Sequence, residues 1–129
     1  MTKTKWIPIL FWVAAVYDGV LGLAFLAAPA RLFDLLNVTP PNHFGYVQFP
    51  AALPVVFALI FVTIALNAER NRNLIPFGML LKVSYCGVAF FYWFTEDIPN
   101  LWKPFAVMDV LFFILFLMAF RRIGRNGVV

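Results

Sequence analysis

The chain has 129 residues, of which 64% are hydrophobic and 12% are charged. Soluble domains carry about 25% charged residues, so this composition excludes an ordinary water-soluble domain. The length allows one domain and leaves no room for a separate soluble catalytic module beside several membrane spans. The net charge of +4 comes from basic residues scattered at segment ends, without a basic face or a stacking motif, which excludes nucleic acid as a partner.

The first apolar segment runs from Trp6 to Ala28. About 20 apolar residues, rising 1.5 Å each, cross the hydrocarbon core of a bilayer, so this segment predicts a transmembrane helix. It is too long for a cleaved signal peptide, Asp18 interrupts it, and no convincing small-residue cleavage site follows. We therefore expect it to remain in the protein as a membrane anchor.

The only long connection follows, from Pro29 to Tyr46. Its first part alternates apolar residues with Arg31 and Asp34, which predicts a short amphipathic helix at the membrane surface, with Asn37 as its C-cap. Prolines prevent a helix in the next part, which begins at Thr39, and we interpret that part as a candidate lid over the outer end of the bundle.

Three more spans follow, and together they predict the fold class. We place them at residues 47–68, 74–94 and 104–120. The chain should therefore be an all-α polytopic membrane protein, a single domain over residues 1–129 that forms a bundle of four transmembrane helices in the lipid bilayer. Much lipid-facing surface remains and no decisive pairing motif is present, so a homo-oligomer stays open.

The distribution of basic residues predicts the orientation in the membrane. Seven of them flank one side of the predicted spans and two flank the other, and an excess of Lys and Arg marks the cytoplasmic side. Both termini should therefore be cytoplasmic. The seven are Lys3, Lys5, Arg70, Arg72, Arg121, Arg122 and Arg125, and the two are Arg31 and Lys103.

Three ionisable residues, Asp18, Lys82 and Asp109, lie inside the predicted spans. A charge at mid-membrane costs about 2.5 kcal/mol or more, so it persists only when it is paired, hydrated or used. Counted from the cytoplasmic ends at 1.5 Å per residue, the two aspartates lie roughly 17 to 18 Å up and the lysine Cα about 12 Å up. The flexible lysine side chain covers the difference, so we expect the three charges to meet.

The neighbours of this cluster suggest a site in the outer half of the bundle. We expect Tyr17, Gln48 and Tyr85 to line it together with the three charged residues. One lysine between two carboxylates leaves a formal charge of minus one unless one of the aspartates holds a proton, and such a site suits a proton or a small cation. The cluster has a second interpretation, in which it only holds the helices in register.

Cys86 and His43 are weaker candidates. Cys86 is the single cysteine, and a nucleophilic cysteine needs a base, for which the nearest nameable group is Lys82. His43 is the only histidine and is interpreted as a loop residue, because haem or a metal ion needs further ligands. We therefore expect no catalytic residue and no metal site.

The run from Tyr17 to Leu36, in which the first helix ends at a proline and a short amphipathic segment follows, resembles the DoxX-like small four-helix membrane proteins of bacteria. Most of that family is of unknown function, and some members are similar to small subunits of quinone-linked sulfur oxidation or to accessory proteins of membrane redox and assembly systems. The resemblance implies an accessory or lipophilic-ligand-binding role in the bacterial inner membrane, and it carries over no catalytic residue.

Three functional hypotheses follow. The first is a non-enzymatic binding or accessory protein whose outer pocket holds a lipophilic molecule, such as a quinone, or positions a membrane partner subunit. The second is a small proton-coupled transporter of cations or drugs in which Asp18 alternates between proton and substrate, as the membrane acid of small multidrug-resistance exporters does. The third is an intramembrane redox or isomerase enzyme that uses the acids as proton donors, although no motif supports it.

Overall fold

The structure is a computed structural model, and it describes residues 4–125. No strand occurs over this range, and four of its helices are long and apolar enough to cross a membrane. The predicted all-α bundle of four membrane-length helices is therefore confirmed. The helices are α1 (Trp6–Ala27), α2 (Pro29–Leu35), α3 (Gly45–Leu66), α4 (Ile75–Thr95) and α5 (Trp102–Arg125), and a 3-10 turn (Arg72–Leu74) precedes α4.

The helices do not begin and end where the predicted spans do. α3 begins at Gly45, because the amides of Tyr46 and Val47 already donate to the carbonyls of His43 and Phe44. α5 continues beyond the predicted end at Phe120 to Arg125. The predicted spans counted apolar residues only, whereas helical hydrogen bonding continues into polar sequence outside the hydrocarbon.

The predicted amphipathic helix after α1 is present as α2, and its end shows how the chain turns. Asn37 has φ 56, and it lies one position beyond the C-cap, Leu36. The Asn37 amide donates to the Asp34 carbonyl, and the Val38 amide donates to the Phe33 carbonyl. This is the Schellman arrangement, in which asparagine is one of the few residues that tolerate a left-handed backbone.

The long helices associate in two pairs. α1 packs closely along α3, α4 packs closely along α5, and backbone approach between the pairs is sparse. Gly22 explains the close approach within the first pair, since a Cβ at this position would lie 2.6 Å from the Ala51 carbonyl oxygen of α3. Because the backbones of the two pairs stay apart, their side chains must join them.

Two features at opposite ends of the bundle join the pairs. We call the end that holds Trp6, Leu66, Ile75 and Arg125 the terminal end, and the end that holds α2 the loop end.

In the half of the bundle towards the terminal end, the rings of Phe11, Phe61 and Phe116 form an aromatic core. Phe11 and Phe116 stack with centroids 4.7 Å apart, and Phe61 lies 5.2 Å from Phe116.

A smaller apolar cluster closes the loop end. Phe33 of α2 lies 6.1 Å from Phe25 of α1 and 6.2 Å from Trp102 of α5, measured between ring centroids. The cluster also includes Ala51, with Phe44 packed at its edge. α2 and the segment after it therefore pack over the bundle through buried aromatic side chains.

The turn between α4 and α5 is polar and mostly exposed. Asp97 has φ 68, and its carboxylate accepts a hydrogen bond from the Ile98 amide. Lys103 lies 3.0 Å from the same carboxylate oxygen. The hydrogen bond from the Lys103 ammonium, helped by the Ile98 amide, lowers the pKa of Asp97 below its ordinary value.

Candidate functional site

The three charges predicted to meet lie in contact in the half of the bundle towards the loop end. Asp18 belongs to α1, Lys82 to α4 and Asp109 to α5, and their exposed fractions are 4%, 1% and 7%. The Lys82 Nζ atom lies 2.8 Å from an oxygen of Asp18 and 3.3 Å from an oxygen of Asp109. The predicted cluster is therefore confirmed, and its strongest ion pair crosses from one helix pair to the other.

The surroundings of Lys82 are aromatic. Its Nζ atom lies 4.8 Å from the ring centroid of Phe112, 5.4 Å from that of Tyr17 and 5.8 Å from that of Phe61. Cations are attracted to aromatic faces, and the attraction grows when water is excluded. The rings therefore stabilise an ammonium group whose hydration has been removed, and they add to the ion pairs.

The two aspartates are held differently. Lys82 donates hydrogen bonds to both carboxylate oxygens of Asp18, at 2.8 and 3.0 Å. Asp109 has only the longer contact, at 3.3 Å from the Lys82 Nζ atom to one of its oxygens, and no other described side chain donates to its carboxylate. Asp18 is therefore neutralised by Lys82, while Asp109 keeps acceptor capacity for another group.

A cavity of about 480 Å³ begins at this cluster and extends towards the loop end. All three charged residues line its inner end, and most of the remaining lining is aliphatic or aromatic. Such a composition is typical of sites for small organic molecules, which combine apolar walls with a few polar groups. The lining consists of Tyr17, Asp18, Leu21, Gly22, Phe25, Tyr46, Val47, Pro50, Ala51, Leu53, Pro54, Leu81, Lys82, Ser84, Tyr85, Trp102, Phe105 and Asp109.

The exposed part of this lining lies on the facing sides of α3 and α4. Tyr46, Pro50 and Leu53 of α3 are exposed, as is Ser84 of α4, whereas the lining residues of α1 and α5 are buried or half-buried. α3 and α4 also make few backbone contacts with each other. The cavity is therefore open along the side of the bundle, between the halves of α3 and α4 near the loop end.

Two features of α1 and α3 make room for the cavity. Gly22 and Ala51 contribute almost no side chain to its wall. Pro50 and Pro54 lie inside α3, and a proline inside a helix removes one backbone hydrogen bond and distorts the turn before it. Both prolines therefore lie directly beside the cavity.

Three tyrosines line the cavity, and the hydroxyl groups of Tyr17 and Tyr85, which lie beside the charge cluster, differ. The Tyr85 hydroxyl donates a hydrogen bond of 3.0 Å to the Trp102 carbonyl, which ties α4 to the start of α5. The Tyr17 hydroxyl oxygen is buried, and no hydrogen-bond partner reaches it among residues 4–125. A buried polar group without a partner is costly and rare, so Tyr17 is the group most ready to bind a ligand atom.

Gln48 is the one predicted site residue that does not line the cavity. Its side-chain amide donates to the Leu26 carbonyl at 3.1 Å, near the end of α1, where helix carbonyls lack partners of their own. Its role is to tie α3 to α1. Sequence reasoning missed Trp102 and Phe105 as lining residues, although aromatic residues at the start of α5 were a signal.

Cys86 and His43 have local roles. The Cys86 sulfur lies 3.9 Å from the Val83 carbonyl of its own helix, and His43 accepts a hydrogen bond from the Gly45 amide in the loop. Neither residue lines the cavity. Within the described part of the chain, no group of three or more His, Cys, Asp or Glu side chains is arranged to hold a metal ion.

Comparisons of this chain with models of protein families, with curated proteins and with solved structures find no match. The DoxX-like resemblance therefore stays a prediction.

Proposed function

We propose that this chain is a non-enzymatic binding protein of a bacterial inner membrane, with both termini in the cytoplasm, that holds a lipophilic molecule such as a quinone. The observation that carries the proposal is the side-opening apolar cavity with a charged inner end. If the charges only held the helices in register, the fold would not require an accessible cavity beside them. The accessory role that the DoxX-like resemblance implies is compatible with such a carrier.

The inner end of the cavity defines the head group of the ligand. Tyr17 supplies a free O–H donor, and Lys82 is close behind it, with its Nζ atom 5.4 Å from the Tyr17 ring. With both carboxylates ionised, the cluster carries a formal charge of minus one, which disfavours an anionic head group. A neutral hydrogen-bond acceptor, such as a quinone carbonyl, satisfies Tyr17 without adding charge.

The side opening defines how the ligand arrives. Between α3 and α4 the cavity opens onto the apolar surface of the two helices. Phe49 and Leu53, close in sequence to the lining residue Pro50, are exposed, as is Val88 of α4. A lipophilic molecule is most concentrated in the hydrocarbon of the bilayer. In the proposed function it enters sideways from the membrane, with its head group directed towards Tyr17 and its tail left between the helices.

Replacing Tyr17 with phenylalanine should weaken the binding of a short-chain benzoquinone about fivefold to tenfold, because one hydrogen bond is lost. Thermal stability should be unchanged or slightly higher, because a buried hydroxyl without a partner is removed. Binding is measured in detergent micelles as saturable quenching of tryptophan fluorescence, which Trp102 in the cavity wall reports. Mass spectrometry of molecules that co-purify with the protein identifies the natural ligand.

Tyr92→Phe is the matched control, since Tyr92 lies on the exposed side of α4 and does not line the cavity. It should bind the quinone as the parent protein does. Trp102→Phe should remove the saturable part of the quenching. The proposal is wrong if the parent protein shows no saturable quenching, or if Tyr17→Phe and Tyr92→Phe bind equally.

One observation favours a second function, proton-coupled transport of a cation. Asp109 lines the cavity, and Lys82 is the only described side chain that pairs with its carboxylate, through one oxygen at 3.3 Å. Asp18 was the acid that the sequence favoured for this role, but Lys82 occupies both of its oxygens. In this alternative the exchanging acid is Asp109, and cation flux into liposomes that Asp109→Asn abolishes would favour transport over ligand storage.

A further inference from the structure

A second cavity, of about 690 Å³, lies at the terminal end of the bundle, far from the charge cluster. It is formed by the connection between α3 and α4 together with the first turn of α4 and the last part of α5. Five of its seven lining residues are polar, two of these are arginines, and its two apolar residues belong to membrane-length helices. The lining consists of Asn67, Glu69, Arg70, Arg72, Asn73, Pro76 and Phe120.

Arg72 is held in a fixed position in this cavity. Its Nε atom donates to the Phe120 carbonyl at 2.9 Å, and its guanidinium carbon lies 3.7 Å from the centre of the Phe120 ring. The guanidinium group also lies against Gly124, where a Cβ would come within 2.5 Å of an Arg72 nitrogen. A stacked guanidinium loses little entropy when its remaining N–H groups bind an acceptor.

Arg70 adds a second positive charge that the fold does not use. Its backbone amide donates to the Asn67 side chain, and its side chain is exposed. Glu69 is the one acid of the lining, and it forms no ion pair with either arginine in the described part of the chain. Two arginines and one glutamate give the lining an excess positive charge, and Arg121 and Arg122 follow Phe120 directly in α5.

We propose that this cavity binds the phosphate group of an anionic phospholipid. Two guanidinium groups and the amide groups of Asn67 and Asn73 supply N–H donors of the kind that phosphate oxygens accept. Pro76 and Phe120 place the cavity where apolar helices meet polar sequence, which is the depth of lipid head groups. A basic pocket at such a position recognises lipid head groups. This site is independent of the function proposed for the first cavity.

Arg70→Gln should lower the affinity for phosphatidylglycerol about fivefold and leave the affinity for phosphatidylcholine unchanged. Glu69→Gln should raise the affinity for phosphatidylglycerol, because it removes the repelling carboxylate. Both variants alter exposed side chains, so the thermal unfolding temperature should stay within a few degrees of the parent value. The measurement is native mass spectrometry of the full chain in detergent, titrated with each lipid.

Arg31→Gln is the matched control, because it removes an exposed arginine at the loop end. It should leave the binding of phosphatidylglycerol unchanged. Three results would overturn the proposal: equal affinity of the parent protein for both lipids, an equal loss of affinity in Arg31→Gln and Arg70→Gln, or displacement of the lipid by millimolar inorganic phosphate. The last result would identify a site for free phosphate.

Discussion

Replacing Lys82 with methionine is expected to lower the free energy of unfolding by about 3–5 kcal/mol, the largest effect of any single substitution considered. Methionine keeps most of the volume of the lysine side chain, so packing changes little. The two carboxylates lose the ammonium that lies 2.8 and 3.3 Å from them. Leaving a buried charge without its partner costs far more free energy than the original ion pair contributed.

The chain offers a direct way to measure this loss. Cys86 is the only cysteine and is half-buried, so the rate at which a thiol-reactive dye labels it during heating reports unfolding in detergent. Lys103→Met, which breaks the pair with the exposed Asp97, is the control and should change stability little, because ion pairs at the surface contribute little. Adding Asp18→Asn and Asp109→Asn to Lys82→Met should recover most of the loss. A Lys82→Met variant as stable as the parent would contradict the ion-pair geometry.

The second large effect is expected from Asp18→Asn, which should cost about 2–3 kcal/mol, whereas Asp109→Asn should cost no more than about 1 kcal/mol. Asp18 accepts both hydrogen bonds of Lys82, and its loss removes the charged bond that joins the two helix pairs. Asp109→Asn leaves Lys82 with Asp18 in a balanced pair. The thiol-labelling assay compares the two variants under identical conditions.

Asparagine occupies nearly the same volume as aspartate, so each of these two variants serves as the packing control for the other. Equal losses in both would mean that the lysine is shared evenly, which the distances of 2.8 and 3.3 Å do not support. A larger loss in Asp109→Asn would reverse the assignment of Asp18 as the structural partner. In the transport alternative, it would also make Asp18 the exchanging acid.

Much of this fold was predictable from the sequence, because the bilayer limits the alternatives. An apolar run of about 20 residues is a membrane-length helix, and charges inside such runs are conspicuous. Counting the helical rise placed Asp18 and Asp109 at one level, and the long side chain of Lys82 brought its ammonium to them. The cluster was predictable from helix length and from the reach of the lysine side chain alone, without knowledge of how the helices pack.

What could not be predicted depends on the rotation of each helix about its axis. Gln48 was expected in the cavity, but α3 is rotated so that its amide reaches the Leu26 carbonyl. Packing against neighbours sets this rotation, and apolar residues on all sides of a membrane helix leave the sequence with little signal for it. The free Tyr17 hydroxyl and the position of Arg72 over Phe120 likewise emerge only from the packing of several helices.

The most direct test of the account is a distance measurement in lipid bilayers by solid-state NMR, between the 15N-labelled ammonium groups of the lysines and the 13C-labelled carboxyl carbons of the aspartates. Asp97→Asn removes the exposed pair with Lys103 and leaves the buried pairs to be observed. We predict a strong nitrogen–carbon coupling that persists in Asp97→Asn and falls sharply when Asp18→Asn is added. Loss of all coupling in Asp97→Asn alone would contradict the meeting of Lys82 with the two membrane acids.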